Sequence, residues 1–291
     1  MKHILSFFLV FCTLLFATAQ ESHEFVGVIK LNDSSLISLK IMLKAEEGKI
    51  SGYTLTDLGG EHETKSSITG FYNEDDNVLV FKELATVYTK SPVSEADFCY
   101  MNFTSDNYRL GKSNKLTGKF KGLFPDNTVC INGELLLSTV EKYNQRVEKA
   151  TKMIAKTKRI PDSVKQNINL SKMMDSVQMN VLKSNQVMSV FSKSKTVRIE
   201  IYDGGQLDGD RISLKANDKT LLTNFETKAQ PKVLNLELKE KKTALVLTAN
   251  NTGSISTNTA VIEIFVDGQK IRALSNLKTN ESTQVDLYLK Q

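Results

Sequence analysis

Residues 201–214, IYDGGQLDGDRISL, set Asp203, Asp208 and Asp210 among three glycines, between two strand-like runs, Val197–Tyr202 and Arg211–Leu214. Carboxylates at this spacing serve one of two chemistries. Together with the carbonyls of a glycine-rich loop, three of them could supply a good part of the six to eight oxygens that calcium takes. Alternatively, each aspartate accepts hydrogen bonds from nearby amides while the glycines take positive φ, and the segment is only a tight turn. The turn reading requires less. The spacing is not that of an EF-hand, since no glutamate occupies a twelfth position.

Cys99, in the strand-like Phe98–Phe103, and Cys130, in the strand-like Val129–Ile131, are the next residues able to do chemistry, and the compartment decides their state. In an oxidising compartment they are candidates for a disulfide, which a chain-entropy account puts at about 3 to 4 kcal/mol for a loop of this length. Otherwise they are two buried thiols. Neither has a second cysteine nearby, which argues against a metal site.

Residues 1–20, MKHILSFFLVFCTLLFATAQ, indicate the compartment. A short basic start, an unbroken apolar stretch and the small-residue site Ala17-Thr18-Ala19 form a secretory leader, removed near Gln20 or Glu21. The apolar run Ile4–Ala17 is shorter than the roughly 20 residues that span a bilayer. Cys12 follows the bulky Phe11, which a lipoprotein signal would replace with a small residue. No later stretch approaches a membrane span, so the expected product is exported, without a transmembrane anchor: periplasmic, cell-surface or extracellular.

Catalytic signatures are sparse. Beyond the leader only His23 and His62 remain, His62 within the turn-like Gly60-Glu61-His62-Glu63. No G-x-S-x-G elbow, H-E-x-x-H helix, P-loop or dinucleotide fingerprint occurs. Hydrolysis by paired carboxylates would need two of them facing one cleft, and the sequence selects no pair. The chain is therefore read as non-enzymatic. Its net charge of +5 is too dilute for nucleic-acid binding.

These residues need elements to hold them. A length of 291 residues fits two domains at roughly 100 to 200 residues each. Across 21–139, short β-branched and aromatic runs alternate with turn residues: Phe25–Leu31, Ile37–Leu43, Ile50–Thr56, Thr64–Tyr72, Val78–Phe81, Phe98–Thr104, Leu116–Leu123 and Glu134–Leu137. Asn32-Asp33-Ser34, Glu46-Glu47-Gly48 and Asn73-Glu74-Asp75-Asp76 are among the turns. Such a meander must close on itself to hide its edges, which predicts an antiparallel barrel or sandwich.

The periodicity then becomes helical. Val140, Tyr143, Val147, Ala150 and Ile154 form one stripe, Ser138-Thr139-Val140-Glu141 has the form of a capping box, and Pro161 marks the expected end. Lys142, Arg146, Lys149, Lys152 and Lys156 form the opposite face; a solvated surface explains them without an anionic partner. Residues 140–185 read as a helical linker, containing Met173, Met174 and Met179 and the triplets Asp162-Ser163-Val164 and Asp175-Ser176-Val177. Residues 186–291 return to strands, from Val187–Phe191 to Thr283–Leu289, with a hairpin signal at Asp267-Gly268. About nine short strands here predict a β-sandwich.

"VRIEIYDGGQLDGDRISL" and "LVLTANNTGSISTNTAVIEIFVDGQK" resemble a C-terminal module of secreted Bacteroidetes proteins. Asp203, Gly204, Asp208, Gly209 and Asp210 match its first motif, with Gly205 making the turn one step different. Ala249, Asn250, Gly253, Ser254, Ile255, Asn258, Thr259 and Ala260 match its second, where Ser256-Thr257 replaces two prolines. The resemblance spans 189–291 and implies export and a β-sandwich of no settled activity. The two triplets resemble the O-glycosylation acceptor pattern of the same phylum.

The function expected is therefore a non-catalytic binding or structural protein of the bacterial envelope or secretome, recognising a glycan or protein through β-domain loops. The alternative is a carrier that encloses a small apolar ligand in a lipocalin-like N-terminal barrel. The first predicts tightly filled barrel positions. The second predicts a cavity lined by residues such as Phe25, Leu43, Tyr53, Phe81, Phe103 and Phe120. No cofactor is expected beyond the calcium considered for the aspartate turn.

Overall fold

The computed structural model describes residues 21–92, 94–157, 180–254 and 257–290. The stretch read as a leader, Pro161, Met173, Met174 and Met179, both Asp-Ser-Val triplets, Ile255 and Ser256 lie outside the described residues.

The N-terminal half is an eight-stranded antiparallel barrel: β1 (Glu21–Leu31), β2 (Leu36–Glu46), β3 (Lys49–Thr56), β4 (Thr64–Asn73), β5 (Val78–Thr89), β6 (Tyr100–Ser105), β7 (Lys115–Leu123) and β8 (Val129–Thr139). Each strand pairs with the next, and β8 returns to β1 from Phe25↔Thr139 to Leu31↔Gly133, so no edge stays open. The tight connections carry the positive φ their chemistry allows, as at Ser34, Glu47 and Gly48.

β5 extends eight residues beyond the expected Val78–Phe81, through Thr89. Its pairing with β4 slips twice, once between Glu83 and Ala85 and again between Thr86 and Tyr88. These bulges break the simple alternation that marks a strand in sequence. The extension also joins the two halves of the protein: Val80–Lys82 pair with β6, whereas Tyr88 and Thr89 pair with Val190 and Ser189.

Helix α1 (Val140–Lys156) leaves β8 directly. Its N-cap is Thr139, whose hydroxyl accepts from the Lys142 amide at 3.3 Å. The capping box expected from Ser138 does not form, because Ser138 is still paired in β8 with Val26 and Lys115. The apolar stripe lies against the barrel only in part, and no helical residue is fully buried. No described helix is long and apolar enough to cross a membrane.

The C-terminal half is a two-sheet sandwich of β9 (Val181–Leu182), β10 (Val187–Ser192), β11 (Thr196–Asp203), β12 (Arg211–Ala216), β13 (Lys219–Glu226), β14 (Lys232–Glu237), β15 (Lys242–Ala249), β16 (Ala260–Val266), β17 (Gln269–Ser275) and β18 (Ser282–Leu289). One sheet runs β13-β12-β15-β18-β10 and continues into the barrel through β5; the other runs β14-β11-β16-β17-β9. β9 draws Val181 and Leu182 out of the segment read as linker. Ile199, Ile201, Leu214, Leu247, Ile264 and Leu287 belong to the core between the sheets, and Val87 and Tyr88 of β5 pack into the same core. Asp267 and Gly268 both take positive φ in the β16–β17 hairpin.

A buried polar network backs this joint. Glu63 accepts from the Tyr88 hydroxyl at 2.9 Å and the Gly59 amide at 2.7 Å, and its carboxylate lies 3.8 Å from Lys90 Nζ. Lys90 also donates to the Val181 carbonyl at 3.2 Å, tying barrel to sandwich. Burial lowers the Lys90 ammonium pKa, with the Glu63 charge opposing that shift, and burial pushes the Tyr88 phenol upward.

Candidate ligand cavity and acidic loop site

Cys99 and Cys130 form a disulfide with Cα atoms 6.1 Å apart, joining the approach to β6 with β8. Cys99 also lines an apolar cavity of about 250 Å³ inside the barrel. Its apolar lining includes Ile29, Leu31, Ile37, Phe98, Met101, Phe120 and Ile131, and its polar groups include Thr56, Asp57, His62, Thr64, Ser66, Glu83 and Thr86.

The aromatic filling of the barrel confines this cavity. Phe25, Leu43, Phe81 and Phe103 are fully packed, together with Tyr108, and do not line the open space expected of them. Tyr53 points to the outer face, where Lys65 Nζ stands 4.2 Å from its ring centre. Strand parity explains this: Ile50 and Thr54 face inward, so Tyr53 between them cannot. Of the six expected lining residues, Phe120 alone borders the cavity.

Glu83 is the residue that the sequence reading missed. Leu79, Phe81 and Glu83 alternate inward along β5, and the first bulge follows at once. One carboxylate oxygen accepts from the Thr54 hydroxyl and the other from the Met101 amide at 2.7 Å. Among the described residues no cation pairs with it. Burial raises its pKa, against the lowering effect of those two hydrogen bonds. Glu83 borders both this cavity and a second cleft of about 540 Å³ that it shares with Lys82, Tyr100 and Asn102, which accounts for its partial exposure. A carboxylate kept in an apolar cavity without a counter-charge can accept further hydrogen bonds from a donor brought in by a ligand.

His62 lies at the same end of the barrel and borders both this cavity and a polar cleft of about 690 Å³ between the domains. Its Nδ1 is 3.2 Å from Ser91 Oγ on an exposed rim, and its backbone amide donates to Asp57. Among the described residues no carboxylate bonds its other ring nitrogen, the contact that would orient a catalytic imidazole. His23 lies on β1, paired with Leu43 of β2.

The three aspartates do converge. Asp203 ends β11, Asp210 immediately precedes β12, and each of the three brings a carboxylate oxygen within 4.8 Å of the others. Asp203 Oδ1 accepts from the Gly205 amide at 2.8 Å and Asp210 Oδ2 from the Thr259 amide at 2.7 Å, so part of the turn reading is realised. The remaining oxygens, Asp203 Oδ2 and Asp210 Oδ1, are buried with no hydrogen-bond partner. Burial pushes the Asp210 carboxyl pKa upward; the Thr259 amide opposes this, and the charges on Asp208 and Asp203 add to it.

Residues on either side of 255–256 close over this turn. Asn251 accepts from the Arg211 amide at 2.6 Å and donates to the Gly209 carbonyl at 2.9 Å, while the Ser254 amide donates to the Asp208 carbonyl at 3.1 Å. Asn258 donates to the carbonyls of Arg211 and Asn251, both at 3.1 Å. Gly253 has a φ of +56°, and a Cβ there would meet the Asp208 carboxylate carbon at 2.5 Å. Both features favour glycine at this position. The two segments that carry the sequence resemblance form one structural unit.

No family model, curated protein or solved structure matches the chain. The functional reading therefore rests on geometry.

Proposed function

We propose that the protein is a non-catalytic, exported binding protein and that its barrel carries a small ligand with an apolar body and a hydrogen-bond-donating head. The observation that carries this reading is Glu83: a carboxylate that no cation pairs with among the described residues, in a cavity of about 250 Å³ walled mainly by apolar side chains. At roughly 30 Å³ per water, such a space displaces about eight waters, the size of a short-chain amine or alcohol. The disulfide supports an oxidising destination, in agreement with the secretory leader read at residues 1–20.

The test is a thermal melt of the chain from residue 21 onward with n-hexylamine, n-hexanol and hexanoate. Hexylamine should raise the melting temperature most, hexanol less, and hexanoate not at all, because its carboxylate would face Glu83. Equal effects from all three would remove Glu83 from the site, and no effect from any would contradict the carrier reading.

A second reading, recognition of an envelope glycan or protein through sandwich loops, draws support from a different observation. Asn251, Ser254 and Thr259 are held on the 203–210 turn by side-chain and backbone bonds, with the buried Asn258 bracing Asn251 from behind, giving a shaped loop surface. Its test is binding of the chain to isolated envelope polymer, with the barrel cavity filled by Phe120→Trp as control.

A further inference from the structure

We infer that Asp203, Asp208 and Asp210 form a calcium site that fixes the 203–210 turn against Asn251, Ser254 and Thr259 of the sandwich.

Three carboxylates within 4.8 Å of one another repel, and a turn that needed only hydrogen-bond acceptors would not bring them together. A second observation points to a ligand. Asp210 is 0% exposed and Asp203 7% exposed, yet Asp210 Oδ1 and Asp203 Oδ2 meet no donor, and neither residue forms an ion pair among the described residues. Buried carboxylate oxygens left in this state are costly unless a cation or donor takes them up. The partnered oxygens, on the Gly205 and Thr259 amides, hold both groups in place, so that the open oxygens are set in advance. The donor set is all oxygen and anionic, which selects a hard divalent cation. The cluster sits on an irregular loop, and calcium tolerates irregular coordination where magnesium demands a near-ideal octahedron. The ion would tie β11 and β12 to the start of β16, since Asp203 pairs with Ala260 and Asp210 holds Thr259.

The experiment uses the whole chain from residue 21 onward, stripped with EDTA and titrated with calcium chloride or magnesium chloride. Binding heat and melting temperature are both followed. One calcium per chain should bind, and a hundredfold excess over the dissociation constant should raise the melting temperature by roughly 5 °C, with magnesium weaker. Asp208→Asn, at the least buried of the three positions, should keep the fold and lose at least tenfold in calcium affinity. Absence of binding heat and melting shift at 5 mM calcium, a concentration on the order of the weakest extracellular sites, overturns the inference. Undiminished binding in Asp208→Asn overturns it as well, because the ion would then sit elsewhere. If Asp208→Asn does not fold, Asp203→Asn is judged by the same two readings.

Discussion

Glu83 in the barrel meets a threonine hydroxyl and a backbone amide, whereas Glu263 in the sandwich is held by Lys270 at 2.8 Å, Arg272 at 3.7 Å and the Tyr202 hydroxyl at 2.9 Å. Burial opposes ionisation of both. At Glu263 the hydrogen bonds from Lys270 and Tyr202 and the nearby Lys270 and Arg272 charges outweigh burial and leave its pKa below the ordinary glutamate value. At Glu83 burial prevails, and its pKa is raised. The contrast separates two uses of a buried acid. Glu263 is balanced on the face of β16 turned away from the sandwich core and needs nothing further; Glu83 is unbalanced beside a cavity, the arrangement associated with sites rather than scaffolds.

The largest effect should come from the joint between the two halves. Glu63→Ala would leave the Lys90 ammonium buried without its carboxylate, which typically costs about 3 to 5 kcal/mol. Urea denaturation followed separately by tyrosine fluorescence and far-ultraviolet dichroism should show that loss, with the two halves no longer melting together. A loss below about 1 kcal/mol, the range of exposed pairs, would mean that the network does not couple them.

Next comes the disulfide, which strengthens only the barrel. Replacing Cys99 and Cys130 by alanine opens a loop with a sequence separation of 31, which should cost about 3 to 4 kcal/mol on the chain-entropy account. Limited proteolysis should then cut the barrel first and spare the sandwich; equal loss from both would contradict this division.

The smallest effect, and the sharpest on the comparison itself, is in pH. Because the folded pKa of Glu83 is raised, its stabilising contribution is complete below the unfolded value and is lost as pH rises through the folded one. Glu263 runs the other way: its contribution is present above the unfolded value and is lost as pH falls through the lowered folded one. Melting curves across the acid range should show that Glu83→Gln flattens the decline toward higher pH and that Glu263→Gln flattens the decline toward lower pH. Slopes of the same sign in both variants would remove the contrast.

Much of the architecture was legible in the sequence for local reasons. All eight barrel strands and the nine sandwich strands expected were marked by turn residues and β-branched runs, because hairpin turns have strict backbone needs. β9 was missed because two residues pairing in parallel carry no pattern of their own. The second half of β5 was missed because its bulges spoil the alternation, and Glu83 lies just past the point where the pattern breaks. The outward face of Tyr53, in contrast, follows from parity alone. At the acidic loop the chemistry of the aspartates was visible, but their enclosure was not. One oxygen of Asp210 is bonded by the Thr259 amide, 49 residues away, and no local spacing encodes such a contact.

The most direct measurement is isothermal titration of n-hexylamine into the chain from residue 21 onward, its Phe120→Trp variant and its Glu83→Gln variant. The account predicts one saturable site in the unmodified protein, loss of that site when tryptophan fills the cavity, and at least tenfold weaker binding without the Glu83 carboxylate. Equal affinity in all three proteins, with the disulfide and far-ultraviolet spectrum intact, would place binding outside the barrel and contradict the account.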